Sequence, residues 1–199
     1  MQSIRLFCLI AFLLGTIAFS QEKSDEFPIL KGPYLGQKPP AMTPEVFALG
    51  IVTNTDLGET CPAFSPDGKR FVFMRFDARE WDSGIKKYST LMTELINGRW
   101  TKPAPLPLNL NTEYSEFDLQ IAPDESYIVF VSNRPGWHDV MGNHNDLYVS
   151  FRRMDGSWTE PKNLGEEVNT VGGVALTLTY DGKYLLFTGK GKDPNSDIY

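Results

Sequence analysis

The chain has 199 residues, of which 41% are hydrophobic, and its 25 acidic and 19 basic side chains give a formal net charge of −6. This length suits a single domain with one core. The acidic balance argues against a nucleic acid as partner, because phosphate binding needs concentrated lysine and arginine. We therefore expect no nucleic-acid binding.

Residues 1–20 have the organisation of a secretory signal peptide. Arg5 supplies the positive start, residues 6–17 are almost entirely apolar, and residues 18–20 (AFS) have the small-x-small pattern of a cleavage site. The apolar stretch is shorter than the ~20 residues of a spanning helix, so an uncleaved anchor is the less favoured alternative. We expect a periplasmic or secreted protein with no membrane insertion after cleavage.

Cys61 is the one cysteine that remains after cleavage, since Cys8 lies inside the signal peptide. A single thiol cannot form an internal disulfide, so the core alone must hold the fold. A catalytic thiol is one interpretation of Cys61. A small buried residue in a strand is the favoured one, because no neighbouring histidine is in sight to lower its pKa.

Residues 21–45 predict an extended N-terminal segment, and an internal repeat begins after it. Three segments align without gaps, and their aspartates are evenly spaced (124 − 67 and 181 − 124 are both 57): FSPDGKRFVF (64–73), IAPDESYIVF (121–130) and LTYDGKYLLF (178–187). A second motif recurs in the same order, as NGRWTKP (97–103) and DGSWTEP (155–161). We call the spacing of 57 residues the repeat interval. Self-similarity at such a period is typical of propellers and other repeat folds.

Each repeat predicts four antiparallel strands, A to D. A Pro-Asp-Gly type turn joins A to B, and Asn97-Gly98 or Asp155-Gly156 joins C to D. Strand B is continuously apolar, as in FVFM (71–74), which is typical of a strand buried on both faces. The sequence therefore predicts an all-β fold of stacked β-propeller blades; a β-sandwich with accidental similarity is the alternative.

The expected blades span about 59–110, 116–168 and 173–199, after an orphan strand D at 46–55. Three blade equivalents are fewer than the ~4–8 of a closed ring. We therefore expect an incomplete propeller. Truncation of a longer parent within a strand is favoured over a ring completed by self-association.

The chain resembles the TolB-type, WD40-like β-propeller repeat family of bacterial cell envelopes over roughly residues 46–199. The motifs that carry the resemblance are AFSPDGKRFVF (63–73), SNRPG (132–136), DLYVSF (146–151) and GSWTEPKNLGEEVNT (156–170). The resemblance implies the fold but not a single function, since members bind proteins, sugars or peptides. Two departures are Glu125, where glycine is typical, and Tyr180, where proline is typical.

Strand alternation assigns the D–A and B–C connections to one edge of the blades and the tight A–B and C–D turns to the other. The B–C connections, 77–89, 133–145 and 189–196, are long and polar. Long loops collected at one edge are typical of binding sites, although tolerated surface insertions are an equal alternative.

Three carboxylates at this edge are candidate catalytic residues. Glu59 and Glu116 are separated by one repeat interval (116 − 59 = 57), and Asp118 should point to the same side as Glu116 because it lies two positions further along the strand. Such a pair could serve as acid and base in glycoside hydrolysis. Solvated rim charges are the favoured interpretation, and Gly173 at the third equivalent position leaves no carboxylate ring.

The remaining candidates are binding residues at the ends of strand B and in the long loops: Arg75, Trp81, Arg134, Trp137, His138 and His144. Exposed tryptophans there could stack on sugars or anchor a peptide. The histidines with Asp139 and Asp146 could hold a metal, but their spacing matches no established signature. We expect no metal site and no cofactor, since no phosphate loop or nucleophile elbow occurs either.

Three functions remain open from the sequence. The favoured one is a non-catalytic envelope propeller that binds a protein, peptide or glycan through the long-loop edge. The second is a carbohydrate-active hydrolase or lyase that uses Glu59, Glu116 and Asp118. The third is a truncated fragment without function.

Overall fold

The computed structural model describes residues 27–39, 41–77, 88–106, 112–136, 145–169, 174–190 and 196–199. Within them lie one short helix, α1 (Glu166–Asn169), a 3-10 turn at Tyr34–Gly36, and these strands: β1 Gly58–Phe64, β2 Arg70–Phe76, β3 Tyr88–Ile96, β4 Arg99–Trp100, β5 Ala104–Pro105, β6 Glu116–Ile121, β7 Tyr127–Ser132, β8 Asp146–Phe151, β9 Lys162–Asn163, β10 Val174–Leu178, β11 Leu185–Lys190 and β12 Ser196–Ile198. The predicted all-β class is confirmed. No helix in the described part of the chain is long and apolar enough to cross a bilayer.

The strands form three antiparallel sheets that follow the repeat. Sheet 1 has the order β1-β2-β3-β4, with β5 also paired to β3; sheet 2 is β6-β7-β8-β9; sheet 3 is β10-β11-β12. Each sheet is a meander of sequence neighbours, as expected for a propeller blade. The described residues form a propeller-like stack of three sheets and no closed ring.

The central strand of each sheet explains why the sheets stack. In β2, Phe71 and Phe73 face one apolar cluster, while Val72 between them faces another that it shares with Phe130 of β7. Strand β7 repeats the pattern, since Val131 faces a third cluster, towards sheet 3. In β2 and β7 a continuously apolar strand therefore serves two interfaces, as predicted for strand B, whereas Leu186 on one face of β11 is 42% exposed.

The A–B turns are built by the repeated aspartates. Ser65 Oγ donates to Asp67 Oδ1 at 2.7 Å, and the Lys69 amide donates to the same oxygen at 2.9 Å. Asp181 accepts the same two bonds, from a hydroxyl two residues before it and an amide two residues after it, whereas Asp124 accepts both from Ser126. These bonds close each turn locally, so the motif is structural.

Glu125 occupies the position that glycine takes in the other two turns. Its φ is +58°, in the left-handed region where Gly68 has +69° and Gly182 has +67°. The Glu125 carboxylate contacts Arg70 in sheet 1 and accepts a hydrogen bond from Arg152 at 3.1 Å in sheet 2. This departure from the repeat therefore links two neighbouring sheets.

The N-terminal region differs from its prediction. Residues 46–55 were expected to form an orphan strand D, but they form turns with an isolated bridge between Leu49 and Thr53. Ala48 has a φ of +46° and its carbonyl accepts from the Val52 amide at 2.9 Å, which curls the chain back on itself. We name residues 30–39 and 41–53 the N-terminal cover, because their apolar side chains pack on the outer face of sheet 1: Leu30, Leu35, Phe47, Ala48, Ile51 and Val52.

Candidate functional site

The antiparallel registers place the long connections at one edge of the sheets. Gly58, at the start of β1, pairs with Phe76 at the end of β2, which pairs in turn with Tyr88 at the start of β3. The D–A and B–C connections therefore meet at this edge, which we call the loop edge, and the A–B and C–D turns lie at the opposite one. This confirms the predicted assignment of connections to edges.

A cavity of about 590 Å³ opens at the loop edge between sheets 1 and 2. On its sheet 1 side, β2 and β3 contribute an apolar surface with Met74, Phe76 and Tyr88, beside Glu59, Thr60 and Cys61 of β1. Its sheet 2 side is largely polar, with Asp118 and Asn133. This volume lies in the range of small-ligand pockets, roughly 300–1,000 Å³. It is the candidate site of the protein.

Each strand A carries a bulge at the same repeat position, and the bulges of sheets 1 and 2 line this cavity. Cys61, Asp118 and Ala175 have φ values of +51°, +53° and +52°, and the pairing register shifts there in all three sheets. These bulges were not predicted from the sequence, because none of the three positions is a glycine. The signal that could have suggested equivalent backbones is their spacing, since each lies one repeat interval from the next.

The bulge changes the environment of Asp118. Its Oδ1 accepts the Cys61 thiol at 2.8 Å, and its Oδ2 accepts the Ala175 amide at 2.8 Å. Glu116, two positions earlier, contacts Arg134 and Thr112 instead. The expectation that Asp118 and Glu116 share one side rested on regular alternation, which the bulge breaks. From β6 of sheet 2, Asp118 thus hydrogen-bonds to β1 of sheet 1 and to β10 of sheet 3.

Cys61 lines the cavity, and its thiol donates a hydrogen bond to Asp118. Burial raises its pKa above the usual value, and the hydrogen bond to Asp118 raises it further. The pKa of Tyr88 is raised as well, by burial and by the neighbouring Cys61. Because the thiolate is the nucleophilic form, this environment argues against a catalytic thiol. Cys61 is half-buried, not fully buried as expected.

Glu59 is held by an ion pair across the β1–β2 ladder. Its Oε1 lies 3.1 Å from Arg75 Nε and accepts the Asn54 amide at 3.2 Å. Arg75 also donates to the carbonyls of Ile51 and Val52, at 3.1 and 2.7 Å. Two predicted site residues thus meet, and Arg75 holds the N-terminal cover to sheet 1. The pairing could have been found from the register, since Glu59 and Arg75 lie opposite each other.

Glu116 makes the corresponding contact in sheet 2 and is deeply buried. Its side chain is 2% exposed, its Oε1 lies 3.0 Å from Arg134 Nη2, and it also accepts the Thr112 hydroxyl. The Arg134 guanidinium lies 5.3 Å from the ring centres of both Phe130 and Tyr148. The interpretation of Glu116 as a solvated rim charge is therefore wrong, because its pairing with Arg134 takes it into the protein.

The SNRPG motif (132–136) fixes the start of the B–C connection in sheet 2. Tyr148 donates to the carbonyls of Arg134 and Pro135, at 3.1 and 3.2 Å. Gly136 lies so close to Tyr148 and Asp146 that an added Cβ would be 2.2 Å from the tyrosine hydroxyl. The motif therefore requires its glycine for close packing, and it orients the loop edge.

Four predicted binding residues lie outside the described residues: Trp81, Trp137, His138 and His144. Asp139, considered as a metal ligand, lies outside them as well. Asp146 is buried and accepts a hydrogen bond from Asn163 Nδ2 at 2.8 Å. Among the described residues, no group of three histidines, cysteines or carboxylates is placed to hold a metal ion.

Comparison with known proteins gives a structural likeness and no family. No protein-family model and no curated protein matches the chain. One solved structure that matches belongs to a structural and mechanistic analysis of two prolyl endopeptidases, with 15% identity and a TM-score of 0.40. The match covers 75% of this chain and 23% of that one, so this chain spans about a quarter of its length. A likeness at this score does not assign an activity.

Proposed function

We propose that the chain is a TolB-like, exported, non-catalytic β-propeller module that binds a protein, peptide or glycan at its loop edge. The three blade-like sheets supply a rigid support, and the cavity between sheets 1 and 2 supplies a concave surface at the edge where the long connections meet. Sites on loops held by a rigid framework are a common arrangement for recognition. The signal-peptide pattern of residues 1–20 supports export to the periplasm or beyond.

The proposal that the module is non-catalytic rests on one observation: all three candidate carboxylates are already bound by other groups of the protein. Glu59 and Glu116 are each paired with an arginine, and both Asp118 oxygens accept hydrogen bonds. A general acid must reach the substrate and change its protonation during the reaction. Glu116, buried against Arg134, does not line the cavity, so an acid–base pair of Glu59 and Glu116 is not favoured.

The test is a combined binding and turnover screen on the purified chain. Peptide and glycan arrays should give at least one ligand, and a panel of glycans incubated with the protein should remain uncleaved. The folded fraction of the Glu116→Gln variant should bind the ligand with the affinity of the native chain. Cleavage of a glycan by the chain, lost in folded Glu116→Gln protein, would contradict the proposal and favour the hydrolase or lyase.

A further inference from the structure

One carboxylate on the cavity wall has no cationic partner. Asp118 is half-buried, and its two oxygens accept from uncharged donors, the Cys61 thiol and the Ala175 amide. No lysine or arginine of the described chain pairs with it, whereas Glu59, on the sheet 1 side of the cavity, is paired with Arg75 at 3.1 Å. The described residues therefore leave Asp118 as a carboxylate of the cavity that no cationic side chain neutralises.

On the opposite side of the cavity, strands β2 and β3 of sheet 1 contribute an apolar and aromatic surface. Phe76 and Tyr88 lie edge to face, with ring centres 5.6 Å apart, and Met74 lines the cavity beside them. Aromatic rings attract cations, and apolar walls accommodate the methylene stem of a long charged side chain. No described lysine, arginine or histidine lines the cavity to oppose a cation.

We propose that this cavity binds a primary ammonium group on an aliphatic arm, the side chain of a lysine in a peptide, with Asp118 as its counter-ion. The arm lies against Phe76 and Tyr88, and the ammonium group contacts the Asp118 carboxylate. This assignment rests on the proposed binding function and names the ligand class of the same site. A lysine fits better than an amino sugar, because its charge is separated from its backbone by an apolar stem that matches the apolar wall.

The test compares two labelled peptides that differ in one charge. A short Gly-Ser peptide with a central lysine should bind the full chain at least tenfold more tightly than the same peptide with acetyl-lysine. Asp118→Asn should remove this preference, weakening the lysine peptide at least tenfold and leaving the acetylated one unchanged. Asp56→Asn is the matched control, since Asp56 is an exposed carboxylate on the connection that leads to β1, and it should leave both affinities unchanged.

A second variant keeps the proposal testable if Asp118→Asn unfolds the chain. Asn145 lines the same cavity, and Asn145→Asp adds a carboxylate there while Asp118 and its hydrogen bonds remain. This variant should tighten binding of the lysine peptide several-fold, with no gain for the acetylated peptide. Thermal unfolding of each variant establishes that the compared proteins are folded.

The outcomes separate the two proposals. Equal binding of the two peptides, or a lysine preference that neither Asp118→Asn nor Asn145→Asp alters, overturns the lysine site and leaves the binding function standing. A chitosan oligosaccharide that binds where the lysine peptide does not also overturns it. Arrays without any ligand, together with cleavage of a glycan, overturn both proposals.

Discussion

The two outer faces of the sheet stack differ in what covers them. On sheet 1, Phe71 and Phe73 are buried by the N-terminal cover, which places Leu35 and Val52 against them. On sheet 3, Leu186 of β11 is 42% exposed and Ile198 of β12 is exposed as well. The first sheet is thus closed by a segment that is not a blade, and the last is open within the described residues.

The open face of sheet 3 carries a residue whose counterparts in sheets 1 and 2 are buried. Leu186 is equivalent to Val129 and Val72, each one repeat interval from the next, and these two are 4% and 1% exposed. The same strand position is therefore buried or exposed according to whether a neighbouring sheet lies beside it. An apolar blade strand needs a neighbour on each side, and either a blade or an irregular apolar segment can supply it.

The largest effect is expected in the middle sheet, which has a sheet on both sides. Arg134→Ala should lower the free energy of unfolding by about 3–5 kcal/mol, because it leaves the buried Glu116 carboxylate without its counter-ion. Urea denaturation measures the change. Arg99→Ala, at an exposed arginine of β4, should cost no more than about 0.5 kcal/mol. A loss for Arg134→Ala as small as that of the control would show that the ion pair is not buried.

The same substitution at the two ends of the stack tests the comparison itself. Leu35→Ala should cost about 2–5 kcal/mol, because it opens a cavity between the N-terminal cover and sheet 1. Leu186→Ala, on the open face, should cost less than about 1 kcal/mol. Equal losses by urea denaturation would mean that the outer faces of sheets 1 and 3 are buried to the same extent, and the comparison would fail.

A smaller effect concerns the link between sheets 1 and 2. Glu125→Ala should destabilise the protein by about 1.5 kcal/mol, because Arg70 and Arg152 lose a shared hydrogen-bond acceptor. Glu125→Gly loses the same contacts but removes a Cβ from a residue at +58°, so it should be about 0.4–1 kcal/mol more stable than Glu125→Ala. Thermal unfolding compares the two variants. A glycine variant less stable than the alanine variant would argue against the left-handed turn.

The smallest effect is a pH dependence of stability, which should be the same for the A–B turns of sheet 1 and sheet 3. Burial alone would raise the pKa of Asp67, but hydrogen bonds from Ser65 and Lys69 outweigh it and lower the pKa. The pKa of Asp181 is lowered by hydrogen bonds from Thr179 and Lys183. A lowered folded-state pKa stabilises the fold above the ordinary aspartate value of about 4, and this contribution is lost as pH falls through the lowered pKa.

Asp67→Asn and Asp181→Asn should therefore each flatten the acid limb of stability below about pH 5, as followed by urea midpoints. Because the hydrogen bonds of each turn are local, the two substitutions should change the pH dependence of stability equally in sheet 1, which is covered, and in sheet 3, which is open. An unchanged acid limb for Asp181→Asn beside a flattened one for Asp67→Asn would show that the turn of sheet 3 is not formed as described.

The repeat predicted the parts of the fold that depend on local sequence. Strands β1 to β3, β6 to β8 and β10 to β12 lie where strands A to C were expected, because turn residues and apolar runs specify them within a few positions. The aspartate turns were predicted for the same reason. The stacking followed from strand B, since FVFM (71–74) leaves no polar face for solvent.

The missed features depend on contacts distant in sequence. The apolar residues of 46–55 suit a strand and a curled segment equally, because they are selected by the face of sheet 1 that they cover; Gly50, at a φ of +80°, is the local turn signal that the strand prediction passed over. The partners of Glu59 and Glu116 are 16 and 18 residues away and do not occupy equivalent repeat positions. Regular strand alternation does not predict the bulge at Asp118, and therefore does not predict the orientation of this carboxylate, which lines the cavity without a cationic partner among the described residues.

Amide hydrogen exchange of the native chain tests most directly whether neighbouring sheets bury the apolar strands. The informative amides are those of Phe73, Phe130 and Phe187, which occupy one repeat position in the central strands of the three sheets. Phe130 and Phe73 should exchange at least tenfold more slowly than Phe187, a difference of about 1.4 kcal/mol in local stability. Equal rates at the three positions, or slowest exchange at Phe187, would contradict the stacked arrangement with one open face.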